Sequence, residues 1–281
     1  MAARQHLYWG VDCGSVAIKV CACNAAGEIV EKRKVKTLFP LAEHVNRALR
    51  PGNGALTPLD DHGVKPGHSV VATGYGRNHI DCADKRLTEI KAHFLGVEQQ
   101  CNIAGRYTII DIGGQDSKVI QVNDHRVAHF VLNRKCAAGT GAYIEELAHR
   151  LELDLGDLAA LSAAHDKALR LNSYCTVFSG QEVIKTLMDG ERVENLVHAL
   201  YGSVVERILE MTHFETGRIV FSGGVLRFHP ALHEIFARRL PECRFELVAN
   251  AQYCGALGAA CFGMDATAPR APLNTQLLSS A

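Results

Sequence analysis

Tyr107-Thr108-Ile109-Ile110-Asp111-Ile112-Gly113-Gly114-Gln115-Asp116 is an apolar strand pattern that ends in an acid, two glycines and a second acid. Ser117 to Val122 then reads as a returning strand, Asn123-Asp124 as a tight turn and Arg126 to Leu132 as a third strand. The same order stands near the N-terminus. Leu7 to Val11 is a strand, Asp12-Cys13-Gly14-Ser15 the acid–glycine turn, Ile18 to Cys23 the return, Asn24 to Gly27 a turn, and Ile29 to Thr37 a third strand with alternating charges. A lone Asp-x-Gly-Ser is a common turn, but the twice-used strand–acid–glycine hairpin predicts two similar lobes facing one ligand. Gly14 lets backbone amides approach a phosphate, and Ser15 can donate to it. Asp12 can hold the water shell of a magnesium ion, with Asp111 as the second such acid. Gln115 is placed to reach a terminal phosphate or an attacking water.

Working outward, Leu41 to Arg50 reads as a helix and 51–67, rich in Pro, Gly and Asp, as a surface loop. His68 to Thr73 is a strand entering Gly74-Tyr75-Gly76-Arg77. Lys85 to Gln99 reads as a helix with Leu87, Ile90, Phe94 and Leu95 inward. His93 lies on or beside that face, as a packed, hydrogen-bonded histidine or as a contact near a metal centre. Leu155 to Ala164 has helical character, and Glu194 to Phe214 is a long amphipathic helix. A strand at Arg218 to Phe221 enters a third glycine turn, Ser222-Gly223-Gly224-Val225. A helix at Pro230 to Leu240, a strand at Phe245 to Ala249 and a small-residue helix at Tyr253 to Ala260 follow. The expected lobes are 1–104 and 105–251. The helix at about 252–264 packs back on the first lobe, and the tail 265–281 is expected to be disordered.

Two cysteines recur in one setting. Cys136 lies in Lys135-Cys136-Ala137-Ala138-Gly139-Thr140-Gly141, before a helical pattern from Ala142 to Leu153. Cys175 lies in Ser173-Tyr174-Cys175-Thr176-Val177-Phe178, before Ser179-Gly180-Gln181-Glu182, whose Ser-x-x-Glu spacing predicts a capping box. Helix N-termini stabilise thiolates and bound anions. An iron–sulfur cluster is such an anion and takes about four thiolates. One chain supplies two, so a two-fold dimer would hold one cluster on its axis. The competing reading of each cysteine is a small buried hydrophobe.

Lys and Arg together equal Asp and Glu, 30 each, and no basic stripe interleaves with aromatics, which argues against nucleic acid as the main partner. No apolar run reaches membrane-spanning length. The first residues lack a signal-peptide pattern, so a cytoplasmic location is expected. There the ten cysteines are expected as thiols or metal ligands rather than disulfides.

Taken together, Asp12-x-Gly14-Ser15, Asp111 to Asp116, Ser222-Gly223-Gly224 and Gly255-Ala256-Leu257-Gly258 resemble the acetate kinase/sugar kinase/Hsp70/actin superfamily. That resemblance implies two ribonuclease H-like, actin-like ATPase lobes with the nucleotide in the cleft between them. Thr73 to Arg77, Lys135 to Gly141 and Cys175 to Phe178 narrow it, over Leu7 to about Gly263. They resemble the 2-hydroxyacyl-CoA dehydratase activators and benzoyl-CoA reductase ATPase subunits. The resemblance implies ATP or ADP with magnesium, and one 4Fe–4S cluster shared in a homodimer or with a paralogous subunit. Cys136 and Cys175 are then its ligands, and Gly14, Ser15, Lys19, Gly113, Gly114, Gly139, Thr140, Gly223, Gly224 and Gly255 the cofactor-binding positions. It implies a ferredoxin or flavodoxin-type electron donor and an acyl-CoA reductase or dehydratase as acceptor. A loop insertion at 51–67 and an Ala/Arg-rich composition turn the expectation toward benzoyl-CoA reductase, with a dehydratase activator as the alternative. Family members often have valine or leucine at position 13, and Cys13 is expected to pack in the strand core. A small-molecule kinase of the superfamily and an actin-type assembly protein are readings that give Cys136 and Cys175 no task.

Overall fold

The computed structural model describes residues 6–50, 56–60, 63–65, 67–101, 103–171, 175–264 and 275–277. In chain order the elements are β1 (Leu7–Cys13), β2 (Ala17–Cys23), β3 (Ile29–Lys36), α1 (Leu41–Leu49), β4 (Leu59–Asp60), β5 (Gly63–Val64), β6 (His68–Thr73), β7 (Lys85–Arg86) and α2 (Glu89–Gln100). After these come β8 (Arg106–Ile112), β9 (Ser117–Asn123), β10 (Arg126–Asn133), α3 (Gly141–Arg150), α4 (Leu158–Ala163), α5 (Thr176–Met188) and α6 (Val193–Leu209). The last are β11 (Arg218–Ser222), α7 (Gly224–Phe228), α8 (Ala231–Arg239), β12 (Arg244–Val248), α9 (Cys254–Gly263) and β13 (Thr275–Leu277). The chain divides into two units. One comprises Met1–Gly105, Asp124–Val127 and Val248–Gln276; the other Arg106–Asn123, Ala128–Leu247 and Leu277–Ala281.

In the first unit the sheet runs β3-β2-β1-β6-β7. Side chains alternate across a strand, so each strand serves two layers. Trp9, Val11, Cys13, Ile18, Val20, Ala22, Val70 and Ala72 share one core with Val45, Ala48 and Leu49 of α1. Cys13 is thus a packing residue, buried as expected. Cys21 and Cys23 turn the other way, onto Ala256, Leu257, Ala260 and Cys261 of α9. Val71 meets Ala92 of α2 and Ala259 of α9 in that same layer. Small residues set the approach of α9. A methyl group on Gly10 would overlap the Ala256 carbonyl, and one on Gly258 the Ala92 carbonyl. β3 lies at the sheet edge, where Lys32, Lys34 and Lys36 are exposed and discourage further strand pairing.

The second unit repeats the opening. β8 pairs antiparallel with β9 and parallel with β11, as β1 pairs with β2 and β6. Its sheet order is β10-β9-β8-β11-β12-β13. α6 is buried along Leu196, Val197, Leu200, Val204, Val205 and Ile208. No helix among the described residues is long and apolar enough to cross a membrane.

Several expected boundaries shift. α2 begins at Glu89, because Lys85 and Arg86 instead pair with Val71 and Ala72 at the edge of β6. Its buried face therefore runs through Ala92, His93, Gly96, Val97 and Gln100 as well as Phe94. α6 stops at Leu209. The 51–67 segment contains a two-strand pair, β4 with β5; 51–55, 61–62 and 66 lie outside the described residues. So does the expected disordered tail, apart from β13.

Candidate functional site

Each acid–glycine turn closes on itself. The Gly14 amide donates to the Ala17 carbonyl at 3.2 Å, and the Gly113 amide to that of Asp116 at 2.9 Å. Register then gives each acid the same two neighbours. Asp12 stands opposite Lys19 on β2 and Thr73 on β6; Asp111 stands opposite Lys118 on β9 and Ser222 on β11. Lys19 Nζ donates to Asp12 Oδ2 at 3.1 Å, and Lys118 Nζ to Asp111 Oδ2 at 3.2 Å. A glycine with positive φ follows each hydroxyl residue, Gly74 at 89° and Gly223 at 93°. A Cβ at these glycines would lie 2.7 Å from Asp12 Oδ1 and 2.9 Å from Asp111 Oδ1. Both loops therefore pack closely on the acid turn, where a side chain would overlap the Cys13 or Ile112 backbone, beside a buried carboxylate.

The two acids differ in setting. Asp111 also accepts from Ser222 Oγ at 3.0 Å, and Lys118 is held by Asp116 Oδ1 at 3.0 Å. The Lys118 side chain is 3% exposed and that of Lys19 is 21% exposed. A Cβ at Gly255 would lie 3.0 Å from Asp12 Oδ2 and 3.2 Å from His93 Nε2, so both side chains border Gly255. His93 is buried, which fits the packing part of its expected role. Asp12 also helps burial raise the Cys13 thiol to about 11, which keeps that thiol protonated. Ser15 and Gln115 are exposed at the turn tips, and Gly224 opens α7. Carboxylates, a lysine and glycine turns suit a magnesium-bound nucleotide phosphate.

The cysteine segment is tied to the second turn. The Gly141 amide donates to the Gly113 carbonyl at 2.9 Å, and the Ala142 amide to that of Gly114 at 2.7 Å. Ser117 Oγ donates to the Gly139 carbonyl, and Asn133 Nδ2 to that of Ala138 at 2.7 Å. Thr140 is the N-cap of α3, so Cys136 sits a short turn ahead of the helix. Gly139 adopts φ 78° and packs beside Arg207, while Thr140 is fully buried; both brace this turn.

Cys175 is itself the N-cap of α5, and the Ser179 amide donates to its carbonyl at 2.8 Å. The capping-box expectation at Ser179–Glu182 is corrected. Ser179 lies inside the helix, buried, because Tyr143 of α3 claims its hydroxyl: Tyr143 Oη donates to Ser179 Oγ at 3.1 Å and contacts Ser203 Oγ at 3.1 Å. Burial raises the Tyr143 phenol, and its hydrogen bonds with Ser179 and Ser203 partly oppose the shift. Cys136 is half-buried and Cys175 exposed. Among the described residues no group of three or more His, Cys, Asp or Glu side chains is placed to hold a metal ion. Two soft thiol donors fit half the ligand set of a cysteine-bound iron–sulfur cluster.

Sequence reading missed Lys118, Ser222, Thr73 and the placement of His93. The equal seven-residue spacing of Asp12–Lys19 and Asp111–Lys118 was the available signal for the lysines.

The model of the BadF/BadG/BcrA/BcrD ATPase family matches residues 9–263. A 2-hydroxyisocaproyl-CoA dehydratase activator from Clostridioides difficile is 37% identical over 91% of this chain and 94% of that protein. The crystal structure of component A of (R)-2-hydroxyglutaryl-CoA dehydratase from Acidaminococcus fermentans superposes with a TM-score of 0.79. It is 32% identical, over 91% of this chain and 96% of that one. A benzoyl-CoA reductase subunit from Thauera aromatica is 25% identical over 90% of this chain and 92% of that protein. The similarity therefore favours the dehydratase activators over the benzoyl-CoA reductase role that the loop insertion and composition suggested.

Proposed function

The chain belongs to the BadF/BadG/BcrA/BcrD ATPase family, and from that premise we propose that it is an ATP-hydrolysing electron-transfer activator of a 2-hydroxyacyl-CoA dehydratase-type partner. The observation that carries this reading is the tie between the Asp111 turn and the cysteine segment. Amides of α3 donate to Gly113 and Gly114, and α3 grips α5 through Tyr143 and Ser179. A displacement of the turn therefore moves the supports of both Cys136 and Cys175 along directly bonded groups.

In this reading each acid turn would serve a magnesium-bound nucleotide through its own unit: Asp12, Lys19, Gly14 and Ser15 in one, and Asp111, Gly113, Gly114 and Gln115 in the other, the carboxylates toward the cation's water shell, the glycine backbones toward phosphate and Gln115 toward the attacking water. Cys136 and Cys175 supply two thiolates of a 4Fe–4S cluster, and a second copy or a paralogue supplies two more. When bound, that cluster supplies a low-potential one-electron carrier, replenished by a ferredoxin or flavodoxin-type donor. Electron delivery to a thioester substrate requires potentials well below the roughly −400 mV of plant-type ferredoxin. Each ~59 mV corresponds to about 1.4 kcal/mol for one electron. Hydrolysis of a nucleotide is an energy source on that scale. The exposed apolar side chains of α5, Val177, Phe178, Ile184, Leu187 and Met188, support a protein neighbour beside Cys175.

The test is activation in trans. A purified 2-hydroxyacyl-CoA dehydratase, given this protein, reductant and ATP under anaerobic conditions, should dehydrate its substrate. It should fail with ADP alone or with Cys175→Ser. Benzoyl-CoA reduction without dehydratase activation would contradict the assignment.

A further inference from the structure

The two acid turns are built on one plan, and they differ at one hydroxyl. In the second unit Ser222, the register partner of Asp111, donates to Asp111 Oδ1 at 3.0 Å. In the first unit the register partner of Asp12 is Thr73. Thr73 is fully buried, and its Oγ1 has no hydrogen-bond partner among the described residues. A buried hydroxyl without a partner is uncommon and costly, so its presence calls for an explanation.

The lysines differ in the same sense. Lys118 is buried and bonded to both Asp111 and Asp116. Lys19 is held by Asp12 at 3.1 Å, is partly exposed, and lies with Nζ 3.9 Å from where a Gly14 Cβ would be. It is therefore both an ion-pair partner of Asp12 and a neighbour of the phosphate turn. It is a flexible point charge that a phosphate can draw away.

We propose that Thr73 is a positioning residue for nucleotide hydrolysis: its hydroxyl takes over Asp12 when Lys19 moves to the phosphate, reproducing the Ser222–Asp111 bond of the other unit. The proposal rests on the reading of Asp12 as the magnesium-facing acid and Lys19 as a phosphate-binding lysine. A hydroxyl donor from β6 would help keep the Asp12 carboxylate oriented while Lys19 engages the phosphate. The chain thereby keeps a donor in reserve in one turn and spends it in the other.

The experiment compares Thr73→Val, Thr73→Ser and Asp12→Asn. Thr73→Val keeps the side-chain shape and removes a hydroxyl that has no partner, so the nucleotide-free melting temperature should not fall. The stabilisation that ATP and magnesium add should stay the same, and kcat should drop roughly tenfold or more with little change in KM, as expected for losing a hydrogen bond to a charged group that matters only during hydrolysis. Thr73→Ser should restore the rate. A lower melting temperature of nucleotide-free Thr73→Val would show that the hydroxyl is structural and would overturn the proposal. So would full hydrolysis by Thr73→Val while Asp12→Asn is inactive. Full hydrolysis by both variants would overturn the underlying assignment of Asp12 instead.

Discussion

The Gly141 amide donates to the carbonyl of Gly113 at 2.9 Å, so the helix that follows Cys136 starts on the turn that follows Asp111. Those two glycines join the Asp111 turn to the Cys136 segment. A Cβ at Gly141 would lie 3.1 Å from Val225 Cγ2 and 3.2 Å from Gly114 Cα, so the junction leaves almost no room for slack.

Tyr143 carries that junction to α5. Tyr143→Phe removes the hydroxyl shared by Ser179 and Ser203 and should cost about 1–2 kcal/mol of stability. ATP binding should persist. The alkylation rate of Cys175 in metal-free protein should respond to ATP in the wild type and lose that response in the variant. An unchanged response in Tyr143→Phe would remove the tyrosine from the coupling.

The two acids should fail differently. Asp111→Asn takes one of two carboxylates from the buried Lys118 cation, leaving Asp116 beside it, and should destabilise the second unit by about 1.5–3 kcal/mol. Asp12→Asn faces a lysine that reaches solvent, so it should lose hydrolysis with much less loss of stability. Denaturant titration beside ATPase rates separates the two. Equal destabilisation would show that Lys19 is as confined as Lys118.

Acid should weaken the second unit through its histidines. Burial lowers His229 and His233, and burial followed by the charges of His165 and Arg238 lowers His198; Glu234 partly opposes this at His198 and His233. The folded state thus takes up protons at lower pH than the unfolded chain. This contribution to stability is complete above about pH 6.5 and is lost as pH falls below it. Melting temperatures between pH 7.5 and 5.5 should decline, with a shallower decline in His229→Gln. A flat wild-type profile would contradict this.

Much of the architecture was legible because the strand–acid–glycine unit occurs twice, and repetition separates a functional turn from a common one. The expectations that failed did so for tertiary reasons. Ser179-x-x-Glu182 has the spacing of a cap, yet Tyr143 bonds Ser179 in a packed interface and the helix is already capped by Cys175. Lys85 and Arg86 have helical propensity but fill an open strand edge. The lysine and hydroxyl partners of the two acids depend on register, which Asp12 and Thr73, 61 positions apart in the sequence, do not reveal locally.

Joint iron binding by Cys136 and Cys175 of two chains is measured by anaerobic purification with iron and sulfide quantification, together with mass by light scattering. A brown dimer with about 4 iron per two chains is expected, and iron-free Cys136→Ser and Cys175→Ser variants that still bind ATP. A colourless wild-type protein, or iron content unchanged in both variants, would contradict it.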